Sequence, residues 1–196
     1  LFDAVHGDGG PRRVTVEQQH HHGRERHRED HHRRHHGARA RVDGLLREGV
    51  DHVFGIPGTQ NLAFLDELRA TSQIRFILTR HEQGAAFMAY GFARAANQPS
   101  VVTVTEGPGV TNMVTGIGAA FKGNVPVISI TGVQESIMRE RDATQDMDQI
   151  PFMRPITKWN AQLHDPAIIP EVVRKAFKLA ESEKPGATHI ELPEDV

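Results

Sequence analysis

Val101-Val102-Thr103-Val104-Thr105-Glu106-Gly107-Pro108-Gly109-Val110-Thr111-Asn112 passes from an unbroken strand-forming run, through a glycine–proline turn, into a segment with helical spacing. A run with no in/out alternation reads as a strand covered on both faces, as parallel strands are when they lie between helices. The same unit repeats on either side. N-terminally, Ala38, Val42, Leu45 and Leu46 sit at helical spacing until Gly49, His52 to Phe54 make a short strand, and Asn61 to Ala70 an amphipathic helix. Ile74 to Leu78 and Glu82 to Ala96 give the next strand and helix. C-terminally, Val110 to Phe121 form a helix and Val127 to Thr131 a strand. Beyond a polar loop come a strand at Ile156 to Trp159, a helix from about Pro166 to Glu183, and a last strand at His189 to Leu192. This alternation predicts an α/β fold over residues 38–196: a doubly wound, six-stranded, mostly parallel sheet with helices on both faces.

The chain has 196 residues, 38% of them hydrophobic, which suits one core of ordinary domain size. Lysine and arginine total 23 against 25 acids, so there is no excess of positive charge to neutralise a phosphate backbone, and nucleic acid is not an expected partner. Cysteine is absent, which excludes disulfides, thiolate metal sites and a cysteine nucleophile. No apolar run approaches a membrane span, and Leu1 to Gly10 lack a signal-peptide pattern, so the expected location is the cytoplasm.

Nine of the 13 histidines lie within residues 1–36. From 17 to 36 no aliphatic or aromatic side chain other than imidazole occurs, so the segment has no face to bury against its ordering entropy. Residues 1–37 are therefore expected to be a disordered tail. Two other readings stay open. Such a histidine density binds transition metals opportunistically, and the abrupt change near Gly37 in a chain beginning at Leu1 is what a fragment or frame error produces. No spacing in the tract defines a metal site.

In a doubly wound sheet, ligands gather where strand C-termini meet helix N-termini. Three such loops carry unusual residues. Gly55-Ile56-Pro57-Gly58 is a tight turn without bulky side chains. Arg80-His81-Glu82-Gln83-Gly84 puts Glu82 in a helix's first turn, where a carboxylate is favoured by the macrodipole in any case. That helix continues with Ala85, Ala86, Phe87, Met88, Ala89, Phe92 and Ala93, so it is expected to be buried on most sides, in part at a subunit interface. An acid at its mouth is expected to be desolvated. The third loop, Thr105 to Asn112, lacks the Gly-Lys-Ser/Thr of a phosphate loop and fails the dinucleotide fingerprint. A backbone N–H cradle at its helix start remains open, with Thr105 and Asn112 as polar contacts.

Together these loops resemble the pyrimidine-binding domain of thiamine diphosphate enzymes. The likeness rests on Val50 to Gly58, Thr79 to Ala86, Gly107 to Asn112, Arg154-Pro155-Ile156-Thr157-Lys158-Trp159-Asn160, and Pro185 to Pro193. It covers residues 38–196, and within that superfamily it is most similar to the acetolactate synthase large subunits. The resemblance implies that Glu82 hydrogen-bonds N1′ of the cofactor's aminopyrimidine and so promotes loss of the thiazolium C2 proton. It implies that Ile56, Pro57, Gly58, Thr105, Pro108 and Asn112 line the cofactor or its approach, and that Gln145 lies near the substrate entrance. The implied reaction condenses two pyruvates to 2-acetolactate with loss of carbon dioxide, in a homo-oligomer of at least two subunits. FAD dependence is left open.

Magnesium and the diphosphate are implied to bind elsewhere, on a domain with Gly-Asp-Gly followed downstream by asparagine. Gly7-Asp8-Gly9 precedes the domain and has no asparagine before Asn61, so this chain carries no metal ligands by that pattern and needs the missing domain in cis or trans. Two positions depart from the family pattern. Val133 stands where glutamine usually follows Thr-Gly, with Gln134 one place later, and Glu106 stands where a small or apolar residue is common. Another 2-oxo acid decarboxylase or oxidase, or a catalytically incomplete interaction module, are the alternative readings.

Overall fold

The structure, a computed structural model, describes residues 35–138 and 141–196. The expectations for the histidine-rich tail and for Gly7-Asp8-Gly9 lie outside the described residues.

Helix α1 takes in residues 35–47, three of which the composition had grouped with the tail. It holds them because Gly37 lies flush on the chain's far end: a Cβ there would be 2.5 Å from the Val196 carbonyl oxygen. One turn on, Arg41 is buried, its Nη2 donates to the same carbonyl at 2.6 Å, and burial pushes its guanidinium down to about 10. The remaining elements are β1 (His52–Gly55), α2 (Leu62–Ala70), β2 (Arg75–Leu78), α3 (Glu82–Ala96), β3 (Ser100–Val104), α4 (Pro108–Lys122), β4 (Val127–Val133), α5 (Gln149–Met153), β5 (Trp159–Gln162), α6 (Ile169–Glu181) and β6 (Thr188–Pro193).

The strands form one sheet in the order β2-β1-β3-β4-β6-β5, and all five pairings are parallel. Every residue of β3, β4 and β6 is buried, as their unbroken runs require. Alternate residues feed two cores. On one face Val53, Val101, Ile128, Ile130 and Ile190 pack with Leu45 of α1, Phe64 and Leu68 of α2, and Val173 and Phe177 of α6. On the other, Phe54, Val102, Val104 and Val127 pack with the alanines of α3, Val110, Met113 and Ile117 of α4, and Met153 of α5. Helices α3 and α4 lie close along each other because Gly116 leaves room for Ala86; a Cβ at 116 would be 2.5 Å from that of Ala86.

Two expectations are corrected. The fifth strand begins at Trp159, not Ile156, because Arg154–Ile156 forms a 3-10 turn closed by the Thr157 hydroxyl, which donates to the Met153 carbonyl at 2.8 Å. Within this chain α3 buries only Ala85, Ala86, Ala89 and Ala93. Phe87 and Met88 remain 40% and 44% exposed, and Gly84 and Gly91 lie beside them on the open side.

Candidate functional site

All three loops singled out from the sequence lie at the C-terminal ends of β1, β2 and β3, on one rim of the sheet. After β1, the turn is held by Asn61, whose Oδ1 accepts from Gly58 N at 2.8 Å and whose Nδ2 donates to the Ile56 carbonyl at 3.1 Å. Ile56 and Gly58 are half-buried and Pro57 is exposed. After β2, the chain turns into α3 with His81 at the cap, where its Nδ1 accepts from Gln83 N at 3.2 Å. Glu82 is the first residue of α3 and is half-buried; Asn112, two turns into α4 at most, donates to its Oε2 at 3.0 Å. The structure thus brings the predicted acid and the predicted asparagine into contact across 30 residues of sequence. Pro108 opens α4 and is exposed, a position where its missing N–H costs nothing.

The expected backbone cradle at this helix start is not open. Gly107 N donates to Gln149 Oε1 at 3.2 Å and Gly109 N to the Glu106 carbonyl at 3.2 Å, while Pro108 has no N–H. The Thr105 hydroxyl is likewise engaged inside the protein, donating to Gln60 Oε1.

The deeply buried acid of this rim is Glu106. It is 1% exposed, and its carboxylate accepts from Gln134 N and Gln134 Nε2, both at 2.6 Å, and from Gln60 Nε2 at 3.0 Å. Burial pushes its pKa above the ordinary carboxylate value; the two Gln134 bonds oppose this, and the negative charges of Asp146 and Glu194 add to it. Sequence reasoning noted Glu106 and the Val133-Gln134 pair as separate departures. The structure joins them in one hydrogen-bonded cluster. Gln60 and Gln149 were missed altogether. The available signal was an acid between Thr105 and Gly107 at the end of an apolar strand, a place that obliges the fold to supply donors.

Gln145 lies in the exposed stretch before α5, with φ +72°. Its carbonyl oxygen rests against Gly107, whose own φ is +56°, leaving no room for a Cβ at that glycine. Beside this stretch a cleft of about 380 Å³ is lined by Gln134, Asp146, Gln149, Gln162 and Glu191, among others. None of the predicted site residues borders it.

A second polar row ends at Glu191, which lines the cleft. The Ser129 hydroxyl is 2.8 Å from His189 Nδ1, and His189 Nε2 is 3.4 Å from Glu191 Oε1. The order matches a nucleophile–base–acid chain, but Ser129 and His189 are fully buried, so no substrate reaches them; the row satisfies polar groups inside the sheet.

The donor set fits half of a thiamine diphosphate site. Glu82 offers a carboxylate at the rim, held by Asn112, which suits a heteroaromatic ring carrying basic nitrogens. It does not fit the other half. Among the described residues no cluster of three His, Cys, Asp or Glu could hold a metal ion, and the Gly107, Gly109 and Thr111 N–H groups at the start of α4 are bonded within the protein. No described helix is long and apolar enough to cross a membrane.

Residues 35–152 match the family model described as thiamine pyrophosphate enzyme, N-terminal TPP binding domain. Over 160 residues, 82% of this chain, it is 46% identical to a probable acetolactate synthase large subunit of Methanocaldococcus jannaschii, covering 27% of that protein. The acetolactate synthase large subunit of Lactococcus lactis is 40% identical over the same share of the chain, which covers 28% of it. For the chloroplastic acetolactate synthase 2 of Nicotiana tabacum the figures are 42% identity and 24% of its length. The chain therefore spans about a quarter of the length of the curated relatives it matches. It belongs to the thiamine pyrophosphate enzymes, as their N-terminal TPP binding domain.

Proposed function

We propose that this chain is the pyrimidine-binding portion of an acetolactate synthase-like carboligase that condenses two pyruvates to 2-acetolactate and releases carbon dioxide. The observation that carries this reading is the Glu82–Asn112 contact at 3.0 Å on the open rim, within a chain 40–46% identical to acetolactate synthase large subunits. When bound, thiamine diphosphate supplies an electron sink for the carbon–carbon bond that breaks and the one that forms. The chain's own task is proton placement. Glu82 hydrogen-bonds N1′ of the aminopyrimidine through one carboxylate oxygen, while Asn112 holds the other and keeps the group from turning into solvent. Ile56, Pro57, Gly58, Thr105 and Pro108 shape the walls of the approach, and Gln145 stands on the substrate side.

Magnesium and the diphosphate are assigned to a second domain, in cis or in trans, on the family likeness and on the chain's covering about a quarter of its relatives' length. The pyrimidine side calls for a second copy as well: the apolar face of α3 that turns away from α4 is unpartnered in one chain and supports a homodimer with the cofactor held between subunits. A cytoplasmic location accords with this chemistry.

The test is Glu82→Gln in a protein that includes the diphosphate-binding domain. The substitution keeps the size and one hydrogen bond but cannot share a proton with N1′. General acid–base groups contribute about 10²–10⁴-fold, so C2 proton exchange on the bound cofactor and pyruvate consumption should both fall by that order. Near wild-type exchange with a slightly lower melting temperature would leave Glu82 only its role in the first turn of α3.

A further inference from the structure

Glu106 anchors a chain of hydrogen bonds that crosses the rim from the turn after β1 to the stretch that carries Gln145. The Thr105 hydroxyl donates to Gln60 Oε1, and Gln60 Nε2 donates to Glu106 Oε1. From the other side Gln134 donates to both carboxylate oxygens, and its Nε2 also donates to the Thr144 carbonyl at 3.2 Å. Gln134 is therefore a bridge between the buried carboxylate and the residue preceding Gln145. Gln145 in turn has its carbonyl against Gly107, the neighbour of Glu106.

The stretch 141–148 needs such a tie. Seven of its eight residues are exposed, and it contains no helix or strand. Asp142 and Gln145 both have positive φ, conformations that non-glycine residues hold only when their surroundings impose them. Its backbone ties are local: Arg141 N donates back to the Met138 carbonyl and Asp146 N to the Ala143 carbonyl. Packing cannot hold it, so polar contacts from the rim must.

We propose that Glu106 is a positioning residue: through Gln134 its buried carboxylate fixes the stretch 141–148 and thereby sets Gln145 against the start of α4. The two departures from the family pattern, Glu106 and the shifted glutamine, are then one device, the acid supplying the acceptors that a glutamine at position 134 needs. The role assigned to Gln145 rests on the carboligase reading; the coupling of Glu106 to the stretch does not.

Backbone amide exchange on this chain, without cofactor, tests the coupling separately from the chemistry. Glu106→Gln keeps the side-chain size but turns an NH₂ toward a donor, so at least one bond to Gln134 or Gln60 is lost. Exchange at Gln134 and across 141–148 should rise about tenfold or more, with β1, β3 and β4 unchanged. Gln134→Met, at a half-exposed position, removes only the side-chain bridge and should raise exchange across 141–148 while sparing the strands. It decides the matter if Glu106→Gln does not fold. Unchanged exchange across 141–148 in the variants that fold, or an equal rise throughout the sheet, would overturn the proposal. Loss of pyruvate turnover in Glu82→Gln bears on the carboligase reading and leaves this outcome untouched.

Discussion

Glu106 also gives the protein a pH-dependent stability of unusual sign for a carboxylate. Its native pKa is raised above the usual 4.5, first by burial, so the folded state holds the proton at pH values where the unfolded chain has released it. The stability tied to this group is fully present below about 4.5 and declines as pH rises through the raised native value. Glu106→Gln has no proton to lose. Denaturation midpoints of the two proteins should therefore shift in the variant's favour as pH rises above about 4.5 and level off once it passes the raised native value; a constant difference would show that the native carboxyl titrates normally. One residue on, Gly107 makes a different demand. With φ +56° and the Gln145 carbonyl where a Cβ would go, Gly107→Ala should cost about 1–3 kcal/mol in urea denaturation. A loss within error would mean that the stretch moves aside without resistance.

At the scale of the elements, what the sequence made legible follows from how each one is buried. Strands β3, β4 and β6 are enclosed on both faces, so their runs stand out in composition, and their limits came within a residue or two. Strand β5 is an edge, half-buried at each of its four positions, and Trp-Asn-Ala-Gln has no run to recognise; the apolar Ile156 nearby belongs instead to the turn that leads into it. Glu82 and Asn112 were legible as separate loop residues, while their contact required α3 and α4 to pack side by side, which Ala86 and Gly116 permit. The Glu106 cluster was not legible. Its members Gln60 and Gln134 lie 46 and 28 residues away, and no local periodicity connects residues that meet only where three strands end. The same reasoning explains α3: its composition announced an apolar helix, and only the fold could divide that surface into a covered and an open side.

For the whole molecule, the open side of α3 matters most. Phe87 and Met88 project from it five and six residues beyond Glu82, and together with Gly84 and Gly91 they form an apolar strip that a monomer would leave in water. The complete protein should sediment as a dimer or a multiple of one, and replacing both residues with lysine should shift it toward single subunits and reduce cofactor affinity together. A monomeric wild type that retains full cofactor affinity would rule out this assembly. The strand order has a consequence for biosynthesis. Strand β6 is the last strand described but stands between β4 and β5, and among the described residues β5 has no other partner. A nascent chain on the ribosome can therefore complete only β2-β1-β3-β4 until Thr188–Pro193 has left the exit tunnel. During that interval β4 is a bare edge and Trp159–Gln162 waits unpaired, so slowing translation while residues 163–188 are emerging from the tunnel should lengthen chaperone occupancy, whereas slowing it after residue 193 has emerged should not.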